Sequence, residues 1–191
     1  MTHRRLTLLF LSSSYLLAAC ASLPKSADWH DPLSPAEHVK LADAYLTHGD
    51  KEAATAQLQL ALHQDSRYVP ALMAMGNLYF EDHKWKDSVN YFHRAWKVSP
   101  DNAGVINNLA MVDLAAGKDL AQDHHRIEQV LPKAGPAAPY LLDTLANIEL
   151  REGRIADARR AWAQASKDAP SDDPNFKKNL EETRARLDQQ K

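Results

Sequence analysis

One cysteine and nine histidines are the residues of this 191-residue chain best suited to nucleophilic or metal chemistry. A single cysteine, Cys20, excludes an intramolecular disulfide and a cysteine-based zinc site. The histidines stand at positions 3, 30, 38, 48, 63, 83, 93, 124 and 125. No two are four residues apart, the spacing that sets two imidazoles on one helix face, and there is no H-E-x-x-H run. His124 and His125 are neighbours, and adjacent helical side chains diverge by about 100°, so they chelate one ion poorly. His124 falls on the apolar side of its segment with Leu120, Ile127 and Leu131, which predicts a packed, hydrogen-bonded ring. There is no G-x-S-x-G elbow and no glycine-rich phosphate loop. The 25 acidic residues read as solvated. Neither a catalytic residue nor a bound metal is expected, and the chain reads as a non-enzyme.

The bulk composition narrows the class further. Hydrophobic residues make up 45% and charged residues 25%, with only 6 glycines, a mix that favours helices. The net charge of −2 supplies no general attraction to nucleic acid, so none is expected as a partner.

Residues 1–20 read MTHRRLTLLFLSSSYLLAAC. Arg4 and Arg5 precede an apolar run from Leu6 to Ala19, too short for the roughly 20 apolar residues of a spanning helix. This is the layout of a secretory signal peptide. Leu17-Ala18-Ala19-Cys20 resembles the lipobox of bacterial lipoprotein precursors. The resemblance implies cleavage after residue 19 and lipidation of Cys20, with covalent lipid as the only attached group and no cofactor. The competing readings are a plain secretory signal with an incidental cysteine, or a short buried helix with a core thiol. Arg4-Arg5 match a twin-arginine signal poorly in their flanks. Lipoproteins of this kind carry three acyl chains, and more than one is what stable anchoring takes. Ala21 rather than aspartate after the cysteine implies transfer to the outer membrane, with the folded domain facing the periplasm. Cleavage would remove two arginines and no acid, so the mature chain gains no affinity for anionic lipid heads. Residues 20–34 then form a tether, reaching at most about 45 Å at roughly 3.3 Å per residue. Its one bulky residue, Trp29, is expected to pack on the first helix rather than to anchor at the membrane interface.

A repeat organises the rest. Leu41-Ala42-Asp43-Ala44-Tyr45 returns as Met75-Gly76-Asn77-Leu78-Tyr79, then Leu109-Ala110-Met111-Val112-Asp113, then Leu145-Ala146-Asn147-Ile148-Glu149. Gly49, His83, Gly117 and Gly153 keep the same step at the turns. Ala54, Ser88 and Ala158 supply small residues in the following segments, while Leu58, Phe92 and Trp162 supply large ones. Pro100 and Pro170 close the second and fourth units. A step near 34 residues with this pattern resembles the tetratricopeptide-repeat (TPR) family over residues 35–172. The resemblance implies an all-α TPR solenoid of about four helix-turn-helix repeats (35–68, 69–102, 103–138, 139–172) with a C-terminal capping helix in 173–191. The third unit departs from the pattern. Gln122, Arg126 and Gln129 stand where two small residues and a large apolar one belong, and the apolar positions are Leu120, Ile127, Val130 and Leu131. A helix rotated or shifted relative to the ideal repeat is expected there.

In TPR proteins the first helix of each unit lines a groove that binds an extended peptide or a partner helix. Carried over by position, the groove would comprise Lys40, Asp43, Met73, Asn77, Phe80, Asn107, Asn108, Met111, Asn147 and Arg151, with Val39, Leu46, Leu114, Asp143 and Leu150 beside them. Asparagine recurs on this face, and its amide can both donate to and accept from a peptide backbone. Met73 and Met111 would supply adaptable apolar contacts. Each of these positions has a plainer reading as a solvated or packing residue. Val39, Gly104 and Asn108 replace the basic residues of the variant that clamps a C-terminal carboxylate, which puts that activity in doubt. The resemblance implies a membrane-anchored scaffold or adaptor for a protein or peptide partner in the cell envelope, as in assembly of a type IV pilus or secretion complex. The rival is a substrate-docking accessory of a peptidase or export system. Self-association through the groove or the third unit is a further expectation.

Overall fold

The computed structural model describes residues 31–118 and 120–190. The signal segment, Cys20, Trp29 and the tether up to residue 30 lie outside the described residues. Nine α-helices and no strand are found among the described residues. They run α1 (Pro35–Thr47), α2 (Lys51–Gln64), α3 (Val69–Glu81), α4 (Trp85–Val98), α5 (Ala103–Ala116), α6 (Ala121–Val130), α7 (Ala138–Arg151), α8 (Ile155–Lys167) and α9 (Pro174–Asp188). Two short 3-10 turns, Leu131–Lys133 and Gly135–Ala137, join α6 to α7. None of these helices is long and apolar enough to cross a membrane.

Local chemistry explains where the helices begin and turn. Ser34 opens α1 with a reciprocal capping box: its backbone N–H donates to Glu37 Oε2 at 2.7 Å, and Glu37 N–H donates back to Ser34 Oγ. Asp50, Asn102 and Asp173 accept from the third residue of α2, α5 and α9 in the same way. Between paired helices the chain passes through the left-handed region, at Gly49 (φ 79°), Gly117 (φ 71°) and Gly153 (φ 77°). His83 holds the matching place in the second unit and adopts φ 57°, an unfavourable conformation for a side-chain-bearing residue, with its ring edge-on to Trp85 at 5.0 Å.

Helices pack as antiparallel neighbours, each pair stacked on the next. Ala42, Ala54, Leu58, Ala61, Ala71 and Met75 form the N-terminal core. The small-against-large scheme is literal at Gly76. A Cβ there would lie 2.6 Å from the Phe92 ring, so only glycine lets α4 seat that ring against α3. Ser88 belongs to the small set, and its buried hydroxyl donates to Gly76 O at 2.8 Å. Trp162 spans from α8 to α9 and donates its indole N–H to Leu180 O at 2.8 Å.

The third unit is rotated. Asp123, Ile127 and Val130 are buried, each one residue beyond the places 122, 126 and 129 that the repeat assigns. Arg126 stands where Leu58 and Phe92 stand in earlier units and lays its guanidinium over the Trp96 ring, 4.8 Å from the centroid. It also donates to Asp123 at 2.6 Å and to Gln122 at 3.0 Å. A flat cation stacked on an aromatic thus replaces an apolar inter-helix contact. His124 is half-buried, with Nδ1 3.5 Å from Glu128 and Nε2 3.5 Å from Glu149 on α7.

The expectation that the acidic residues are solvated needs correction. Asp113, Asp123, Asp143 and Glu149 are all buried. For Asp143 and Glu149 the cause is the crowding of α7, which packs on α5, α6, α8 and α9 and has nine buried residues. A helix enclosed on several sides has no wet face on which to place its acids. Burial and the nearby Asp113 charge push the Asp123 carboxyl up to about 6, against the pull of Arg126.

Candidate partner-binding groove

An open cleft of about 640 Å³ lies across α3, α5, α7 and α9. Of the groove residues read from the sequence, Phe80, Asn107, Met111, Asn147 and Arg151 meet in it, with Leu114, Asp143 and Leu150. Met111 is one of two large apolar side chains left exposed among the described residues, at 37%. The remaining candidates stand apart from the cleft. Lys40 and Asp43 are exposed on α1. Met73 packs beside Leu72, Ala95 and Val105. Asn77 and Asn108 bond to each other, Asn108 Nδ2 donating to Asn77 Oδ1 at 3.1 Å.

The asparagine row is largely a ladder between neighbouring helices. Asn108 ties α5 to α3. Thr144 of α7 donates to Asn107 Oδ1 on α5 at 2.8 Å. Asn147 Nδ2 donates to Asp143 O at 2.9 Å and to Thr183 Oγ1 of α9 at 3.1 Å. Because a backbone carbonyl can only accept, the Asn147 amide must face it with nitrogen. That leaves Asn147 Oδ1 buried with no partner, and Asp143 Oδ1 is in the same condition.

Sequence reading missed the fourth wall of the cleft. Phe176, Asn179, Glu182 and Arg186 of α9 line it, with Tyr140 and Thr144 of α7. Asn179, Glu182 and Arg186 recur at helical spacing on one face of α9, a pattern visible in the sequence of the expected capping helix. The helix docks through Phe176, whose ring meets Tyr140 at 4.4 Å. The Tyr140 hydroxyl donates to Asp173 at 2.8 Å, and that aspartate also caps α9. The N–H of Phe176 and then the Tyr140 hydroxyl hold the Asp173 carboxyl below its ordinary range.

Electrostatics are uneven along the cleft. Asp143 is 8% exposed, and burial raises its carboxyl above the usual range. The Thr183 hydroxyl and the Arg186 charge pull it back in part, and Glu182 pushes it further up. The cations at the rim are engaged elsewhere. Arg151 donates to Leu114 O at 2.8 Å, and Arg186 donates to Glu182 O at 3.3 Å and to Thr183 Oγ1 at 3.4 Å. No cluster of three or more metal-ligating side chains occurs among the described residues.

Four stacked helix pairs, a first-helix face lining a cleft and a ninth helix closing the array define a TPR α-solenoid with a C-terminal capping helix. Solved structures share this fold. PilF of Pseudomonas aeruginosa superposes with a TM-score of 0.63 at 21% identity, covering 84% of this chain and 74% of its own. PilW, a widely conserved type IV pilus biogenesis factor, gives 0.71 at 19% identity, covering 81% and 70%. MamA gives 0.61 at 15% identity, covering 82% and 85%. At these identities the likeness establishes the fold. No protein-family model and no curated protein matches the sequence.

Proposed function

We propose that this chain is a lipid-anchored envelope scaffold that grips a partner protein in the α3–α5–α7–α9 cleft during assembly of a machine such as a type IV pilus or secretion complex. The observation that carries the reading is the cleft itself. It combines an exposed methionine, apolar walls and unfilled hydrogen-bond acceptors on a rigid helical frame. Fold likeness to PilF and to the pilus biogenesis factor PilW supports the choice of machine. The Leu17-Ala18-Ala19-Cys20 sequence supports the anchor, the outer membrane and a periplasm-facing domain. The role needs no catalytic residue and no cofactor beyond the lipid.

The test is a crosslinking pull-down from native membranes, comparing the unaltered chain with Cys20→Ser. Capture of pilus or secretion components, lost or weakened without the lipid, is the expected result. Equal capture by both forms would show that the lipid is dispensable for recognition, and capture of a peptidase or transporter instead would overturn the assembly role.

A further inference from the structure

The cleft is short of donors at one end. Tyr140, Thr144 and Asn147 all line it, and each directs its side-chain hydrogens at protein acceptors: Asp173, Asn107, and Asp143 O with Thr183. Asp143 Oδ1 and Asn147 Oδ1, one turn apart on α7, receive nothing. Both atoms are buried, and Asp143 as a whole is more than nine-tenths buried. A buried acceptor without a donor is costly, and the burial of the Asp143 carboxylate is offset only in part by the Thr183 hydroxyl and the Arg186 charge.

Several occupants can be weighed by what they would leave unmet. A backbone N–H would satisfy Asn147 and leave the Asp143 charge offset only in part by Arg186. An anion would face the Asp143 charge, while the nearby Arg151 and Arg186 already bond to Leu114 O, Glu182 O and Thr183. A hard metal ion needs about six oxygens, and two free ones are available here. A cationic side chain supplies both a charge and several donors, and its methylene stem fits against the Tyr140–Phe176 ring pair. Met111 and Leu114 lie further along the same cleft, where an apolar neighbour of that side chain would rest.

We propose that the α7–α9 end of the cleft receives a lysine or arginine side chain of a partner segment, held by the Asp143 carboxylate and the Asn147 amide oxygen. This rests on the groove reading above and names the chemistry the groove selects. It is opposite in sign to a clamp for a carboxylate terminus.

Hexapeptides randomised except at one central position, held as lysine, arginine, norleucine or glutamate, test it against the full chain in detergent. Lysine and arginine series should bind about tenfold more tightly than norleucine, the worth of a charge-assisted bond pair. Asp143→Asn, close to isosteric, should bring the lysine and arginine series to the norleucine level. Because the lysine-to-norleucine comparison uses the unaltered protein, it stands whether or not the variant folds. Equal binding of lysine and norleucine, or preference for glutamate, overturns the proposal. If peptides bind without that preference and Met111→Ala weakens them, the groove reading survives alone. If no series binds, both fall.

Discussion

At the scale of single residues, the fold depends on a few positions where atoms are absent. Gly76 is one, since the Phe92 ring occupies the space its Cβ would need. Overpacking a filled core costs about 1–3 kcal/mol, so Gly76→Ala should destabilise by that amount despite its gain in helix propensity. Denaturant unfolding of the variant checks this, and an increase in stability would show that Phe92 can move aside freely. The turn residues show a second kind of requirement. Glycine answers it at 49, 117 and 153, whereas His83 adopts the same left-handed backbone with a side chain attached. The repeat spacing alone places these four residues in register.

At the scale of elements, α6 shows how a broken repeat is repaired. Its buried face is turned by one residue, which brings Asp123 into the interior and leaves Gln122 outside. Arg126 then serves two partners, neutralising Asp123 and covering Trp96. The acid nevertheless titrates near 6, above an ordinary aspartate, so it favours the folded state when protonated. That contribution is complete below the unfolded value near 4 and is lost as pH rises through about 6. Asp123→Asn should therefore stabilise the domain at pH 7 by about 2 kcal/mol, with the gain vanishing toward pH 4. Thermal melts of both forms across that range decide it, and a pH-independent difference would refute the linkage. The capping helix shows the complementary case. Its charged sequence suits a solvated end, but docking through Phe176, Leu180 and Leu187 turns one face of it into a wall of the cleft.

At the scale of the whole molecule, stability should follow the neighbours each helix has. α1 packs on α2 and α3, while α7 packs on α5, α6, α8 and α9. In a repeat array each unit is held by its neighbours, so local opening is easiest where they are few. Native-state hydrogen exchange should find the α7 amides the most protected and those of α1 among the least. Protection of α1 equal to that of α7 would mean that the array opens only as one unit. The same enclosure explains the character of the cleft. Its unpartnered acceptors sit on the most crowded helix, where water has the least access.

The helical class, the step of the repeat, the recurring small and large positions, and the unit in which the pattern fails are all legible in the sequence. These are properties of neighbours along a helix and of one spacing repeated, so local chemistry suffices to state them. Tertiary structure decided the rest. Asparagines that look like free amides in the sequence bond across helices, as Asn108 does to Asn77 and Asn147 to Thr183, because helix pairing sets which amides meet. Asp143 and Glu149 are charges of an ordinary amphipathic helix until four other helices close around α7. Burial depends on every surrounding element at once, and no single stretch of sequence contains it.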